Sequence, residues 1–246
     1  MARVLVVLAH PEPTSFNAAW ADASVAGAEA AGSAVRFCDL HRLGFDPVER
    51  GAHYRIDGPF DPLKAQESRP VPPDTAPLAA DLEWADQVVL HYPMWWFGPP
   101  AVLKGWLDRV LVHGRLHDVD HRFDTGRCRG KRALLCVSTG ATAAESGPGG
   151  KEGDARLLVW PVAYALRYCG FDICAPVFVH GVHGYLEGAE KAALEARLRQ
   201  VLAAQAGVMA GLAARELWPF NADTEFDADG RMRPGAPVHW PFITTG

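Results

Sequence analysis

Three segments carry side chains whose types and spacing could bind a phosphorylated aromatic ligand. The first is HPEPTSFNAAW at 10–20, which follows a Val- and Leu-rich run. Thr14 or Ser15 could act there as a simple helix N-cap. The unpaired backbone N–H groups of a first helical turn also favour an anion such as phosphate, so both interpretations stay open.

The second segment is HYPMWWFGPPAVLKGWLDRV at 91–110, which places Trp95, Trp96 and Phe97 between prolines after an apolar run. Exposed aromatic rings are unfavourable unless they cover something, and a flat heteroaromatic ligand would suit them. Packing in a core or in a dimer contact is the alternative interpretation.

The third segment is STGATAAESGPGGKEGD at 138–154, a loop of small residues and glycines. Its backbone N–H groups could approach the edge of a ligand ring without obstruction by side chains. A plain surface turn is the competing interpretation. Neither G-x-G-x-x-G nor G-x-x-x-x-G-K follows the first apolar run, which disfavours a Rossmann dinucleotide site and a Walker-type triphosphate site.

Short Val- and Leu-rich runs alternate with stretches of helical spacing, a pattern typical of an α/β fold with a parallel sheet buried on both faces. The runs predict strands at 3–9, 34–38, 87–92, 131–138 and 171–179. Helices are predicted at 16–31, 73–84, 100–113, 155–169 and 187–217, the last one broken near Gly207 or Gly211. In such a sheet ligands bind at the carboxyl ends of the strands, where all three segments fall.

Two stretches lack this periodicity. Residues 41–72 contain Pro, Gly and Asp throughout and predict a long surface excursion. Residues 218–246 contain aromatic clusters among Pro and Gly, which predicts an ordered tail that lies on a surface and that could cover a neighbouring subunit. We therefore expect one domain over 1–217 followed by a tail over 218–246, with no separate second domain.

Composition excludes several classes of protein. The 246 residues are 49% hydrophobic and 22% charged, which excludes disordered and fibrous classes. The net charge of −5 without a basic block argues against a nucleic-acid partner.

Five cysteines without a C-x-x-C pair favour a reducing cytoplasm. The apolar run MARVLVVLAH is too short to be a signal peptide or to span a bilayer, so we expect a cytoplasmic protein without membrane insertion.

Histidine spacing raises the question of a metal site. His113, His117 and His121 are four residues apart, and His180 and His183 are three apart. Gly114 and the acidic residues at 118–120 indicate a turn rather than one helical face, and no further ligand completes a set. We expect no bound metal.

The three segments together resemble the flavodoxin-fold NAD(P)H:quinone oxidoreductases of the DT-diaphorase type. The resemblance rests on LAHPEPTSFN at 8–17, the segment at 91–110, VSTGA at 137–141, and the GD, WP and CGF blocks between 153 and 171. It implies a flavodoxin-like three-layer sandwich with a five-stranded parallel sheet in the order 2-1-3-4-5. It also implies a homodimer that binds FAD, with FMN as the less favoured cofactor and NAD(P)H as co-substrate.

By position, the resemblance assigns cofactor contacts to three groups of residues. The phosphates and ribityl chain of FAD would contact His10, Ser15, Phe16 and Asn17. The faces of the flavin ring would contact Pro93, Met94, Trp95, Trp96 and Phe97. The edge of the ring would contact Ser138, Thr139, Gly140 and Ala141.

The chain departs from the family in the loop that follows. Where family members carry a Tyr and, six residues on, a His that stabilises charge on the flavin, this chain has Ser146 and Glu152. An ionised Glu152 would oppose negative charge on a reduced flavin, and Lys151 is a candidate to supply positive charge instead.

The function implied is hydride transfer from NAD(P)H through FAD to a quinone or a similar small-molecule acceptor by a ping-pong mechanism. The alternative is a regulatory or ancillary flavoprotein subunit, for example of a potassium-efflux system, and the changed Ser146 and Glu152 positions keep it open. An electron-carrier flavodoxin is less favoured, because those proteins are shorter and strongly acidic.

Overall fold

The computed structural model describes residues 1–245 as one parallel sheet between two layers of helices. The strands are β1 (Arg3–Leu8), β2 (Ala34–Asp39), β3 (Gln87–Pro93), β4 (Arg132–Ser138), β5 (Asp172–Ile173) and β6 (Val177–Val179). Their order is β2-β1-β3-β4-β5, and β6 also pairs with β4, so the predicted order 2-1-3-4-5 is confirmed with a sixth strand added.

The helices are α1 (Phe16–Ala30), α2 (Pro62–Ser68), α3 (Ala76–Trp84), α4 (Ala101–Val110), α5 (Ala155–Tyr168) and α6 (Gly188–Ala210). α1 and α6 pack against each other on one face of the sheet, and α3, α4 and α5 cover the other face. Successive residues of β1 alternate between the two cores: Leu5 and Val7 join the layer of α3 to α5, whereas Val4 and Val6 join the layer of α1 and α6. Burial on both faces explains the continuous apolar runs of the sequence.

The prediction of one continuous fifth strand at 171–179 is wrong, because the segment forms two short strands, β5 and β6. Proline lacks the N–H that a strand donates, and Pro176 falls where the segment divides into β5 and β6. The chain beyond α6 pairs with this break: the Trp218 N–H donates to the Ile173 carbonyl (2.7 Å) and the Ala175 N–H to the Glu216 carbonyl (2.8 Å). The start of the tail thereby continues the hydrogen bonding at the edge of the sheet.

The prediction for 41–72 needs correction, whereas the predicted break of the last helix near Gly211 is confirmed. The excursion at 41–72 contains α2 and a 3₁₀ turn at Gly51–Tyr54. α2 begins with Asp61 as N-cap and a proline in its first turn, a local signal that weak apolar periodicity obscured. The last helix ends at Ala210; Gly211, a poor helix former, is its C-cap, and a separate 3₁₀ turn occupies Leu212–Ala214.

The tail contacts the domain through aromatic rings. Trp218 and Phe220 pack against the core on the side of α5, and the ring of Phe242 lies 4.7 Å from that of Trp160 on α5. Within residues 1–245, no helix is both long enough and apolar enough to cross a lipid bilayer.

Candidate flavin site

The site begins at the turn between β1 and α1. The Glu12 N–H donates to His10 Nδ1 (3.0 Å), and Thr14 donates both its N–H (3.0 Å) and its hydroxyl (2.7 Å) to the Glu12 carboxylate. These bonds hold the turn in one conformation. Burial lowers the pKa of His10, which favours the neutral ring at neutral pH.

Ser15 is the N-cap of α1, and its Oγ accepts from the Ala18 N–H at 3.1 Å. The N–H groups of Phe16 and Asn17 have no acceptor within residues 1–245. The two interpretations of this segment are therefore compatible: the hydroxyl caps the helix, and two free donors remain at its positive end for an anion.

Asn17 links this turn to the end of β4. Its side chain is only 3% exposed, and its Nδ2 donates to Ser138 Oγ at 2.8 Å. Its Oδ1 is buried and has no hydrogen-bond partner among the described residues. Because an unsatisfied buried acceptor is costly, this oxygen marks a place where a ligand hydroxyl or N–H could be bound.

The aromatic segment forms a tight turn after β3. Pro93 is the last residue of that strand, the Met94 N–H donates to the Ser138 carbonyl (2.8 Å), and Trp95 and Gly98 exchange two backbone hydrogen bonds (2.9 and 3.1 Å). Trp96 and Phe97 both have positive φ, at 49° and 63°, a region that disfavours bulky side chains. This strained turn holds the Trp96 ring 95% exposed and the Phe97 ring 53% exposed.

The loop after β4 contains two backbone donors without an acceptor among the described residues. Thr139 is hydrogen bonded on both sides, from its N–H to Val179 (3.0 Å) and from the Val182 N–H to its carbonyl (2.9 Å). The Ala141 carbonyl accepts from the Gly181 N–H at 2.8 Å. The N–H groups of Gly140 and Ala141 have no acceptor within residues 1–245. A β-carbon on Gly140 would approach no atom closer than 4.0 Å, so the space beside this loop is free for a ring.

His180 supports this loop, a role that its spacing in the sequence did not indicate. Its Nδ1 lies 2.8 Å from Thr139 Oγ1, and that hydroxyl lies 3.0 Å from the Ala141 carbonyl. The hydroxyl has one proton, so His180 donates to it when the hydroxyl donates to Ala141. Burial, with Arg197 nearby, lowers the pKa of His180. Only folding brings β6 beside the end of β4, so no local pattern reveals this contact.

The next loop places Ser146 and Glu152 at the site and Lys151 beside it. The Ser146 N–H donates to Thr142 (3.0 Å), and the Glu152 N–H donates to the Glu145 carbonyl (3.0 Å). Lys151 Nζ lies 3.2 Å from Glu145 Oε1, and its side chain is 73% exposed. The structure thus pairs the candidate cation with a carboxylate of its own loop.

Part of this arrangement borders an open cavity of about 260 Å³, to which the turn between β1 and α1 contributes no lining residue. Its lining comes from the aromatic turn, the end of β4, the following loop and α5: Met94, Trp96, Phe97, Thr139, Gly140, Ala141, Ser146, Glu152 and Leu158. Lys151 is not among these residues. Trp95 does not line this cavity, and the centre of its ring lies 5.8 Å from that of His10.

The histidines considered as metal ligands have other partners. His113 and His117 pack edge to face at 5.2 Å, and His117 packs similarly against Tyr168. His121 lies 2.7 Å from an Asp118 carboxylate oxygen. Within residues 1–245, no three His, Cys, Asp or Glu side chains form a group that could hold a metal ion.

A flavin fits the donors and acceptors present. Free N–H groups at the start of α1 suit a phosphate, exposed aromatic rings suit a flat ring system, and the Gly140 and Ala141 N–H groups suit a carbonyl or nitrogen on the edge of that ring. The fold and this arrangement define a flavin-binding α/β protein of the flavodoxin type.

Comparison with known proteins agrees with this class. The family described as "Flavodoxin-like fold" matches residues 2–203. Ribosyldihydronicotinamide dehydrogenase [quinone] of Pongo abelii is 35% identical over 71% of this chain and 79% of its own. NAD(P)H dehydrogenase [quinone] 1 of Rattus norvegicus is 34% identical over 73% of this chain and 69% of its own.

Among solved structures, a putative quinone reductase from Klebsiella pneumoniae superposes with a TM-score of 0.81 at 26% identity and covers 95% of both chains. The chain belongs to the flavodoxin-fold NAD(P)H:quinone oxidoreductase family. The resemblance stated from the sequence segments is confirmed.

Proposed function

We propose that this protein is an NAD(P)H-dependent oxidoreductase that reduces a quinone, or a similar small aromatic acceptor, through bound FAD in a ping-pong sequence. The observation that carries the proposal is that two pairs of backbone N–H groups, those of Phe16 and Asn17 and those of Gly140 and Ala141, have no acceptor within residues 1–245 and lie at the same edge of the sheet. The Asn17–Ser138 hydrogen bond joins the two segments, and Gly140 and Ala141 line the cavity. Relatives at 34 to 35% identity with dehydrogenase [quinone] names support the same reaction class.

The residues of this chain would bind and orient the reactants. The start of α1 would bind the phosphate, and Asn17 Oδ1 would accept a hydrogen bond from the ligand. Trp96 and Phe97 would cover one side of the ring system and exclude water from it, while Gly140 and Ala141 would donate to its edge. A bound flavin would supply the hydride-accepting and hydride-donating ring that no side chain can provide.

Ser146 and Glu152 would adjoin the reacting atoms from the same cavity. Ser146 is 6% exposed, and the Ala155 N–H donates to its carbonyl (2.8 Å), so its position is rigid. We leave Lys151 out of the catalytic group, because its ammonium is paired with Glu145.

A second cavity supports FAD over FMN. It has a volume of about 390 Å³, borders the same loop through Thr142 and Ala143, and extends past His180 to Arg197. A cation and an open space next to the loop that follows β4 suit the additional nucleotide half of FAD. We expect FAD to bind at least tenfold more tightly than FMN, and Arg197→Ala to reduce that preference when both are titrated by fluorescence quenching.

A homodimer is part of the proposal. The aromatic stripe Trp160, Tyr164 and Tyr168 on α5, with the tail ring of Phe242 against it, forms a surface of the kind that self-association buries. Sedimentation at micromolar concentration should give twice the mass of one chain.

The first experiment is the absorption spectrum of the purified protein with FAD or FMN, before and after anaerobic addition of NADH, NADPH or dihydronicotinamide riboside. A retained flavin that bleaches rapidly with one of these donors, and recovers when a quinone is added, supports the oxidoreductase. A retained flavin that stays oxidised with all three donors would contradict it and favour the regulatory alternative.

A matched pair of variants tests the location of the site. Gly140 and Gly207 both have open space where a β-carbon would lie, and neither requires a positive φ. We expect both Gly140→Ala and Gly207→Ala to fold with wild-type stability or better, since neither methyl clashes. Only Gly140→Ala should weaken flavin binding, because its methyl enters the cavity; equal flavin affinity in the two variants would place the flavin elsewhere.

A further inference from the structure

Glu152 is the one charged side chain among the residues that line the 260 Å³ cavity. The other lining residues are aromatic, aliphatic, small or hydroxyl-bearing, with Trp96, Phe97 and Leu158 as the largest. We propose that Glu152 makes this cavity select electron acceptors by charge, favouring neutral and cationic aromatic acceptors and disfavouring anionic ones. This inference rests on the proposed oxidoreductase function and names the substrate class of the same site.

No cation within the described residues neutralises this carboxylate. Glu152 is absent from every ion pair in residues 1–245, and its only hydrogen bond there is the one that its backbone N–H donates to Glu145. The two nearest cations in sequence are bound elsewhere: Lys151 lies 3.2 Å from Glu145, and Arg156 lies 2.6 Å from Asp154. The negative charge at the cavity is therefore uncompensated by its flanking residues.

The surroundings strengthen the effect of this charge. Aromatic and aliphatic walls replace water around a bound acceptor, which lowers the effective dielectric constant and increases the interaction between charges. A unit charge on a substituent of the acceptor, about 7 Å from the carboxylate and at an effective dielectric constant of about 40, changes the dissociation constant of that acceptor about fivefold to tenfold. A cationic and an anionic acceptor with the same ring should differ by about 25-fold or more because of Glu152 alone.

The test uses three naphthoquinones with one ring system and different substituents: trimethylammoniomethyl, methyl and sulfonate. The flavin-loaded wild-type protein is compared with Glu152→Gln, which keeps size and hydrogen bonding but removes the charge. Glu29→Gln is the matched control, because Glu29 is an exposed carboxylate near the end of α1, at the opposite edge of the sheet from the cavity. The kcat/KM of each quinone is measured, and its dissociation constant is measured separately without an electron donor.

We expect Glu152→Gln to raise kcat/KM for the sulfonate about fivefold relative to kcat/KM for the methyl compound, and to lower kcat/KM for the trimethylammonium compound by a similar factor on the same scale. The methyl compound serves as the internal reference, because any effect of Glu152 on the flavin itself changes the rates of all three quinones together. Glu29→Gln should match the wild type. In the wild type, added salt should raise the rate with the sulfonate, because salt screens repulsion. This second measurement does not depend on the folding of any variant.

The failure of the inference differs from the failure of the proposed function. If the methyl compound is reduced well but the charge preference is the same in wild type and Glu152→Gln, the inference is wrong and the oxidoreductase stands. If no quinone is reduced by the flavin-loaded protein, the proposed function fails, and the dissociation constants of the charged quinones still decide whether Glu152 selects by charge.

Discussion

Replacing Asn17 with leucine should separate flavin affinity from fold stability. In the flavin-free protein, Asn17 contributes one hydrogen bond, from Nδ2 to Ser138 Oγ (2.8 Å), and buries an unsatisfied Oδ1. The bond is worth about 1 kcal/mol, and the orphaned acceptor costs about 1–3 kcal/mol. Leucine has a similar size; it removes the orphaned Oδ1 but leaves the buried Ser138 Oγ without its donor. These two effects are of similar size and opposite sign, so we expect the free energy of unfolding without flavin to change by about 1 kcal/mol or less.

Flavin affinity should respond in a different way. Asn17→Leu removes an acceptor that the ligand would use and leaves the ligand's donor buried without a partner, at a cost of about 1.5–3 kcal/mol. The dissociation constant of FAD should rise by about 10- to 100-fold. Urea unfolding of the flavin-free protein and fluorescence titration with FAD measure the two quantities on the same preparation.

Leu82→Ala provides the opposite control. Leu82 on α3 is fully buried in the core and does not line the cavity, so this change should lower stability by about 2–5 kcal/mol and leave FAD affinity within twofold. Our reasoning is refuted if Asn17→Leu lowers the stability of the flavin-free protein by 2 kcal/mol or more while the dissociation constant of FAD is unchanged. Asn17 would then be a structural link only.

Two further predictions concern the scaffold. Gly105→Ala should destabilise the protein by about 3 kcal/mol in thermal or urea unfolding, because Gly105 lies where α4 packs against the backbone of Pro47 and a methyl there would clash with the Pro47 carbonyl oxygen. His91 should make the free energy of unfolding fall towards acid pH, because burial lowers its pKa to about 3. The wild type should lose about 1.4 kcal/mol of this free energy per pH unit below pH 6, and His91→Gln should lack that dependence.

The sign of the His91 effect follows from proton binding. The unfolded chain protonates His91 near its ordinary pKa of 6.5, whereas the folded chain does so only near 3. The stabilising contribution is complete above pH 6.5 and is lost progressively as the pH falls towards 3. Equal slopes of unfolding free energy against pH in wild type and His91→Gln would contradict it. For Gly105→Ala, an unchanged melting temperature would show that the α4 contact is loose.

Much of the fold could be predicted from local sequence. The runs that became β1, β3 and β4 are continuous and apolar because both faces of the sheet are covered, and the helices α1, α3 and α5 begin close to their predicted positions. The strand at 171–179 failed because β5 and β6 are short and the tail pairs between them. That pairing joins residues more than forty positions apart, which no window of sequence contains.

The candidate site could likewise be predicted only in part from the sequence. Sequence alone identified the candidate segments: a turn with hydroxyl and amide groups, an aromatic turn between prolines, a glycine-rich loop, and the Ser146 and Glu152 replacements within it. Residue type and order are enough for this, because strand ends in a parallel sheet meet at one edge.

Only the tertiary structure decided which groups are free to act. Hydrogen bonds between distant segments occupy Thr139 and place His180 beside the loop after β4, and an ion pair within one loop occupies Lys151. The Gly140 N–H and the Asn17 Oδ1 have no partner among residues 1–245. A sequence states which donors and acceptors exist. Whether each one is already satisfied depends on what folding places within 3 Å of it, because a hydrogen bond requires that distance whatever the separation along the chain.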